Sequence, residues 1–371
     1  MRKSIAIIIT SILVLSGCNK QQSVSDRLLN EVGKVIAINP DSASNLLKGI
    51  SSPEKLDDKT FARWCMLSGK ITDEIFTTIL PTYQLERAYD WYSSHGSPDE
   101  QVQILIYLGR SYFADGDYDK AMSIYTNALD IAEKNKLNNL TGYTYSYIGD
   151  LYGEKFMRTE AIKRYKAAAE CFKKENNTDS YACALRDVGR EYACIDSLSR
   201  ALKILTIADS VARNTKNIEV TASIDNALGN IYAMQNKYDK AEEYFLKALV
   251  GRETMPDYMA LIDLYIASGA INKAKELLSK IPQDNPKYTY SIKYLYYQIY
   301  NEEKNYKEAL TNLKEYVEIT DSIIYADNQS KILNIESKYN HLKISKEVDR
   351  LKIKQQSDII VLVICIGILL L

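Results

Sequence analysis

A glycine recurs every 40 residues in the middle of the chain, and this period constrains the fold more than any other feature. Each glycine follows an aliphatic residue, and a tyrosine comes three residues later. An alanine stands twelve residues after the glycine, with a large apolar residue four positions further on and a second alanine three beyond that. An internal repeat near this length is typical of helical units stacked in an array. The columns are Gly109, Gly149, Gly189, Gly229; Tyr112, Tyr152, Tyr192, Tyr232; Ala121, Ala161, Ala201, Ala241; Tyr125, Tyr165, Leu205, Phe245; and Ala128, Ala168, Ala208, Ala248.

The spacing within each copy predicts two antiparallel helices joined by a short turn. The glycine and the alanines allow one helix to approach the other closely, and the large residue between the alanines fills the gap that they leave. Turn-forming residues such as Asp115 and Gly116 separate the two helices. No proline occurs between Pro98 and Pro256, as expected for a stretch made mostly of helix interiors.

These columns resemble the signature of the tetratricopeptide repeat (TPR) family. Two looser copies follow without the glycine, so about six repeats are expected over residues 101–320. The resemblance implies an all-α fold, a TPR-type solenoid of helical hairpins, whose first helices line a concave, peptide-binding groove. Residues 25–100 are expected to form atypical helical pairs that cap the array. The looser copies contain Leu261, Tyr265, Ala274 and Leu278, then Tyr297, Tyr300, Ala309, Leu313 and Tyr316.

The first 18 residues have the pattern of an export signal. Arg2 and Lys3 precede a mostly apolar stretch, and residues 15–18 (Leu-Ser-Gly-Cys) resemble a bacterial lipoprotein box. We expect Cys18 to be lipidated, with residues 19–24 as a polar tether. An ordinary signal peptide, or an uncleaved anchor with an incidental cysteine, is the alternative.

The last residues, 357–371, are apolar on every side after Asp358 and predict part of a transmembrane helix. Thirteen uncharged residues are fewer than the roughly 20 that cross a bilayer, so a buried helix is the alternative. Basic residues precede this run, which by the positive-inside rule favours a cytoplasmic location for the segment and conflicts with the export signal. We give the export signal more weight. The basic residues are Lys338, Lys343, Lys346, Arg350, Lys352 and Lys354.

Residues 321–356 are expected to form one long polar helix between the repeats and the apolar run. Ile332, Ile335, Tyr339 and Leu342 follow a 3-4-3 spacing, a short and broken heptad pattern. The helix is either a stalk that pairs two copies through residues 323–356 or a cap that packs back on the last repeat.

Catalytic and metal-binding patterns are not found in the sequence. The two histidines, His95 and His341, have no partner at catalytic or metal-ligand spacing, and there is no glycine-rich phosphate loop. The formal net charge of −1 does not favour nucleic acid as a partner. We therefore expect neither an enzyme nor a cofactor. Four cysteines, Cys65, Cys171, Cys183 and Cys194, lie in the helical body; Cys171 and Cys183 either form a disulfide or act as small packing residues.

Four polar residues on two adjacent first helices are the candidate peptide-binding site. Arg190 and Asn230 directly follow repeat glycines, and Arg186 and Asn226 lie one turn earlier on the same faces. Arginine binds carboxylates bidentately, and asparagine both donates and accepts hydrogen bonds. We expect these side chains to be exposed and to bind a peptide carboxylate or backbone. The alternative is that the position is polar only because it is solvated.

The combined pattern predicts a membrane-attached periplasmic interaction module in the cell envelope, held by the Cys18 lipid and the C-terminal apolar helix. It resembles the sensory part of envelope signalling proteins of gut bacteria. A lipoprotein scaffold that assembles envelope proteins, without signalling, is the alternative.

Overall fold

The computed structural model describes residues 24–75, 79–283 and 288–325, together with residues 329, 350, 353, 354 and 357. Throughout these residues the chain forms helices and no strand. It divides into two compact units, residues 1–282 and 283–371. In the first unit the helices are α1 (24–35), α2 (Pro40–Lys48), α3 (Asp58–Ile75), α4 (Thr82–His95), α5 (Pro98–Ala114), α6 (Tyr118–Lys134), α7 (Asn138–Glu154), α8 (Arg158–Lys174), α9 (Thr178–Cys194), α10 (Leu198–Ala212), α11 (Ile218–Met234), α12 (Tyr238–Gly251), α13 (Met255–Ala267) and α14 (Ile271–Lys280).

Consecutive helices pair as antiparallel hairpins, which confirms the predicted helical-repeat solenoid. Helices α5 to α9 are each 17 residues long, and three-residue turns join them. Two such helices with their turns make up the 40-residue period. The strict copies are therefore longer than the usual 34-residue repeat because each helix is longer.

The turn inside each strict hairpin has the same backbone geometry. One residue adopts a positive φ, and the amide three residues after the helix end bonds back to the carbonyl of the column tyrosine. In the first copy Gly116 has a φ of 77°, and the Asp117 amide donates to the Tyr112 carbonyl at 2.9 Å. This arrangement satisfies carbonyls that a helix end would otherwise leave without partners. The positive-φ residues are Gly116, Phe156, Asp196 and Asn236.

The repeat columns form the core of the first unit, as the sequence predicted. The alanines of both columns are fully buried in all four copies. Each column glycine faces the large residue of the second helix so closely that a methyl group would collide with it. At Gly149 an added Cβ would lie 2.7 Å from the Tyr165 ring, and at Gly229 it would lie 2.6 Å from the Phe245 ring. The glycine is thus required by the large side chain that packs against it.

Helices α1 to α4 occupy the stretch expected to form atypical pairs before the array. Arg87 on α4 ties this region together, since its guanidinium donates to Asp58 at 2.9 Å and to the Leu56 carbonyl at 2.7 Å. The same guanidinium lies 4.1 Å from the centre of the Phe61 ring. A capping role for these helices stays a prediction.

The second unit contains a further hairpin, α15 (Thr289–Glu302) and α16 (306–325). Ile292, Leu295 and Ile299 are buried on α15. Lys293 pairs with Glu315 on α16 at 2.6 Å, and the Tyr294 and Tyr316 rings lie 5.2 Å apart. This hairpin corresponds to the second of the two looser copies.

The predictions at the chain ends fall mostly outside the described residues. This holds for the export signal with Cys18, for the tether apart from Val24, for the heptad residues between 330 and 349, and for residues 358–371. Within the described ranges, no helix is both long and apolar enough to cross a membrane.

Candidate functional site

The first helices of the hairpins line one face of the first unit, here called the groove. Besides pairing with their second helices, α5 packs on α7, α9 on α11 and α11 on α13. Three clefts open along this face, with volumes of about 450, 460 and 500 Å³ from the N-terminal to the C-terminal end. We call them the N-terminal, middle and C-terminal clefts.

The C-terminal cleft brings together all four residues of the predicted site. Arg186 and Arg190 enter it from α9, and Asn226 and Asn230 from α11. Asp257 at the start of α13 and Arg252 before it complete the wall. The 40-residue period therefore places the two pairs side by side, as the sequence predicted, while their role in binding stays a prediction.

Arg186 differs from the expectation that it would be exposed. Its side chain is only 22% exposed, because it lies between α9 and α11. The guanidinium donates to both carboxylate oxygens of Asp187, at 2.9 and 3.1 Å, and to the Ser223 hydroxyl at 2.9 Å. Its donors are thus largely used within the protein, so Arg186 links two repeats and fixes Asp187.

Arg190 and Asn230 face the solvent of the groove. The Arg190 side chain is 66% exposed, and its nearest carboxylate oxygen lies 3.9 Å away on Asp187. Asn230 donates to the backbone and side-chain oxygens of Asn226, both at 3.0 Å. Asn226 in turn donates to the fully buried Asp257 at 2.8 Å. Inner residues therefore hold the outer ones in place, and the outer ones can bind a ligand.

The middle cleft carries the opposite charge. Asp150, Glu154, Asp187 and Glu191 line it together with only two arginines, Arg158 and Arg190. Arg158 is bonded to both oxygens of Glu191 at 3.2 Å. Asp150 accepts a hydrogen bond of 2.6 Å from the Tyr165 hydroxyl. Enclosure by the groove wall, with the nearby Asp187 charge, raises the pKa of Asp150 to about 6.

The N-terminal cleft is aromatic. Tyr107, Tyr143 and Tyr147 line it, with Arg110 and Asp73. Arg110 pairs with Asp73 and lies 5.4 Å from the centre of the Tyr147 ring. Arg110, which occupies the same column as Arg190, is therefore engaged within the protein.

A further cleft of about 580 Å³ lies away from the groove, between α12 and the α10–α11 connection. Ile218, Leu246 and Val250 expose apolar surface there. Arg213 crosses it to Asp225 at 2.6 Å. Most polar groups that line this further cleft are paired with one another.

The described residues form neither a disulfide nor a metal site. Cys65, Cys171, Cys183 and Cys194 are free thiols, so the possible Cys171–Cys183 disulfide is not formed in this structure. Among the residues with a described position, no group of histidine, cysteine, aspartate and glutamate side chains could hold a metal ion.

Sequence reasoning missed three residues that shape the groove. Asp187 and Glu191 are charged in columns where other copies carry tyrosine, alanine, serine, leucine or isoleucine. Phe156 is exposed at a turn position where the other copies carry Gly116, Asp196 and Asn236. A comparison of every column, instead of the six most regular ones, would have marked these departures.

Comparison with known proteins agrees with the repeat pattern. Models of the tetratricopeptide repeat match residues 100–174 and 221–255. No curated protein matches the chain significantly. The fold resembles the crystal structure of a Rap protein complexed with Competence and Sporulation Factor, with a TM-score of 0.61 and 17% identity over 81% of this chain and 86% of that one.

Two other solved structures are similar over most of their length. Aspartyl phosphate phosphatase F from Bacillus subtilis has a TM-score of 0.56 and 13% identity, covering 81% of this chain and 94% of its own. NprR in complex with its cognate peptide NprX has a TM-score of 0.50 and 15% identity, covering 85% of this chain and 97% of its own. At these identities the likeness concerns the fold.

Proposed function

Because the chain is a tetratricopeptide repeat protein, we propose that its groove binds an extended peptide segment of a protein partner. Such repeats indicate an interaction module. The observation that carries the proposal is the exposed pair Arg190 and Asn230 at the C-terminal cleft, fixed from behind by Asp187, Asn226 and Asp257. Exposed side chains held by partners within the protein are preorganised, so binding a ligand costs less conformational entropy.

The chemistry of the cleft fits a peptide. Arg190 reaches a carboxylate or a backbone carbonyl. The Asn230 amide nitrogen bonds Asn226, so its oxygen is left to accept a hydrogen bond from a peptide N–H. The similar folds of the Rap protein, complexed with Competence and Sporulation Factor, and of NprR, in complex with its cognate peptide NprX, support this class of partner.

The test is selection from a displayed library of random dodecapeptides on the full chain in detergent. Enriched peptides are synthesised, and their Kd is measured for the wild type and for variants. Arg190→Ala should weaken binding about ten- to a hundredfold, because a hydrogen bond to a charged group contributes about 1.5–3 kcal/mol. The loss should shrink at high salt, since exposed charges are screened.

Lys203→Ala is the matched control, because Lys203 is exposed on α10, outside the groove, and its loss removes the same charge. Lys203→Ala should leave Kd unchanged. Equal affinity of the selected peptides for wild type and Arg190→Ala would contradict binding at the C-terminal cleft.

We further propose that the protein is attached to the periplasmic face of the cell envelope, where the groove serves a sensory protein. The support is the lipoprotein-type box ending at Cys18. Cys18→Ala should abolish metabolic acyl labelling, and unchanged labelling would exclude lipidation. A scaffold without a signalling role stays the second candidate. It is favoured if deletion of the groove residues alters the assembly of envelope proteins and leaves gene expression unchanged.

A further inference from the structure

The second strict copy departs from the pattern of the other copies at its hairpin turn, between α7 and α8. At the positive-φ turn position the other copies carry Gly116, Asp196 and Asn236, whereas this one carries Phe156. Four residues after the repeat glycine the others carry phenylalanine or alanine, whereas this one carries Gly153. Both changes lie in the lining of the middle cleft.

Phe156 buries little of its large apolar side chain, so it contributes little to the stability of the fold. Its side chain is 80% exposed, and its backbone φ of 58° is one that bulky residues rarely adopt. Asp196 and Asn236 hold nearly the same φ of 57° with residue types that tolerate it. An aromatic ring kept in solvent at an unfavourable backbone position suggests a role outside the fold.

The cleft beside Phe156 has room for a ligand side chain. Phe113 on α5 and Phe156 line it, and the Arg158 guanidinium lies 5.0 Å from the centre of the Phe156 ring. A Cβ at Gly153 would come within 3.3 Å of a Glu191 carboxylate oxygen, so glycine leaves this part of the cleft open. The two rings offer an apolar surface at its edge.

The remaining lining is acidic. Arg158 is committed to Glu191, at 3.2 Å from both of its carboxylate oxygens. Asp150 and Glu154 instead accept hydrogen bonds from the Tyr165 and Tyr118 hydroxyls, at 2.6 and 3.5 Å. A phenol does not neutralise a carboxylate, and the four carboxylates of the lining face only two arginines, Arg158 and Arg190. The cleft therefore favours a cation over an anion.

We propose that the middle cleft selects a peptide in which a large apolar side chain stands next to a lysine, an arginine or a free N-terminal amine. The apolar side chain packs on Phe156 and Phe113, and the cation lies beside Asp150 and Glu154. The inference rests on the proposed peptide-binding function and adds the class of sequence that the groove recognises. The exposed Phe156 ring supports the apolar side chain of this ligand, and the acidic lining of the cleft supports its cation.

The decisive variant is Phe156→Asn. Asparagine suits a positive φ and already occupies this column as Asn236, so the variant should be at least as stable as the wild type. The random dodecapeptide library is selected on the full chain, on Phe156→Asn and on the double variant Asp150→Asn with Glu154→Gln. Asp196→Asn, at the same turn position one repeat later, is the control.

Wild type and Asp196→Asn should enrich peptides with an adjacent apolar–cationic pair. Phe156→Asn should lose the apolar preference and bind the wild-type peptides about tenfold more weakly, as expected when one large side chain is no longer covered. The double variant should lose the cationic preference. Peptides that depend on Arg190 but keep their sequence preference on Phe156→Asn would overturn this inference alone. Failure to enrich any peptide would overturn the peptide-binding function as well.

Discussion

Replacing two glycines of α7 by alanine separates the effect of close packing from that of helix propensity. Gly149 faces the Tyr165 ring, where an added Cβ would lie 2.7, 2.8 and 3.0 Å from three ring atoms. Gly153 lies one turn later, and the nearest atom to its added Cβ is a Glu191 carboxylate oxygen at 3.3 Å. Both glycines are buried within the same helix.

The expected magnitudes follow from these contacts. Alanine is favoured over glycine in a helix interior by about 1 kcal/mol. Gly153 is the last residue but one of α7, so its gain is at most this large. At Gly153 the flexible end of a side chain can move aside, whereas at Gly149 a packed ring must shift, which costs about 1–3 kcal/mol. Gly149→Ala should therefore be less stable than Gly153→Ala by up to about 3 kcal/mol.

Urea unfolding followed by circular dichroism at 222 nm measures the difference. Helical arrays do not always unfold in one step, so the slope of the transition must match between the two variants before their midpoints are compared. Equal stability, or a more stable Gly149→Ala, would refute the reading of the glycine column as a packing requirement.

A double-mutant cycle at the fourth copy tests the same reasoning by another route. Phe245→Ala removes the ring that faces Gly229, and the added Cβ of Gly229→Ala then has space. The two substitutions together should be less destabilising than the sum of each alone. Additive effects would mean that the two residues do not contact each other.

Two further predictions concern packing and pH. Ala161→Leu should cost about 1–3 kcal/mol because Ala161 is fully buried, whereas Lys120→Ala should stay within about 0.5 kcal/mol because Lys120 is exposed; thermal unfolding measures both. The raised pKa of Asp150, about 6 against an ordinary 3.8, means that its stabilising contribution is complete below about pH 4 and is lost as the pH rises through 6. The charged and titratable groups that face this carboxyl are Asp187, Arg186, Arg190 and Tyr165. Because the wild type loses stability over this range, the stability of Asp150→Asn relative to wild type should increase between pH 4.5 and 7. A constant difference in urea unfolding would contradict the desolvation of Asp150.

The sequence predicted the packing of the strict copies because that packing is local and repetitive. The glycine, the alanines and the large residue recur at fixed spacing, and their contacts lie within one hairpin, so a period is enough to derive them. The same period brought Arg186, Arg190, Asn226 and Asn230 to one cleft.

What the sequence did not predict are contacts between neighbours that differ from copy to copy. Arg186 looked like an exposed groove residue because it lies one turn before Arg190. Its burial depends on Ser223 in the next repeat and on Asp187 beside it, and neither is part of a regular column. The turn geometry of Phe156 was also hidden, since a backbone φ is not visible in a pattern of side chains.

In each strict copy, the backbone carbonyl of the column tyrosine closes the hairpin turn. This closure bears on how the array can gain repeats by duplication. Because Tyr112, Tyr152, Tyr192 and Tyr232 all accept from their own turn, each hairpin turn is closed by hydrogen bonds within its own copy. A duplicated 40-residue unit inserted at a turn would contain the hydrogen bond that closes its own hairpin turn. Duplication of one unit is therefore structurally inexpensive here, and only a junction with particular partners, such as Arg158 with Glu191, restricts where a new copy can be placed.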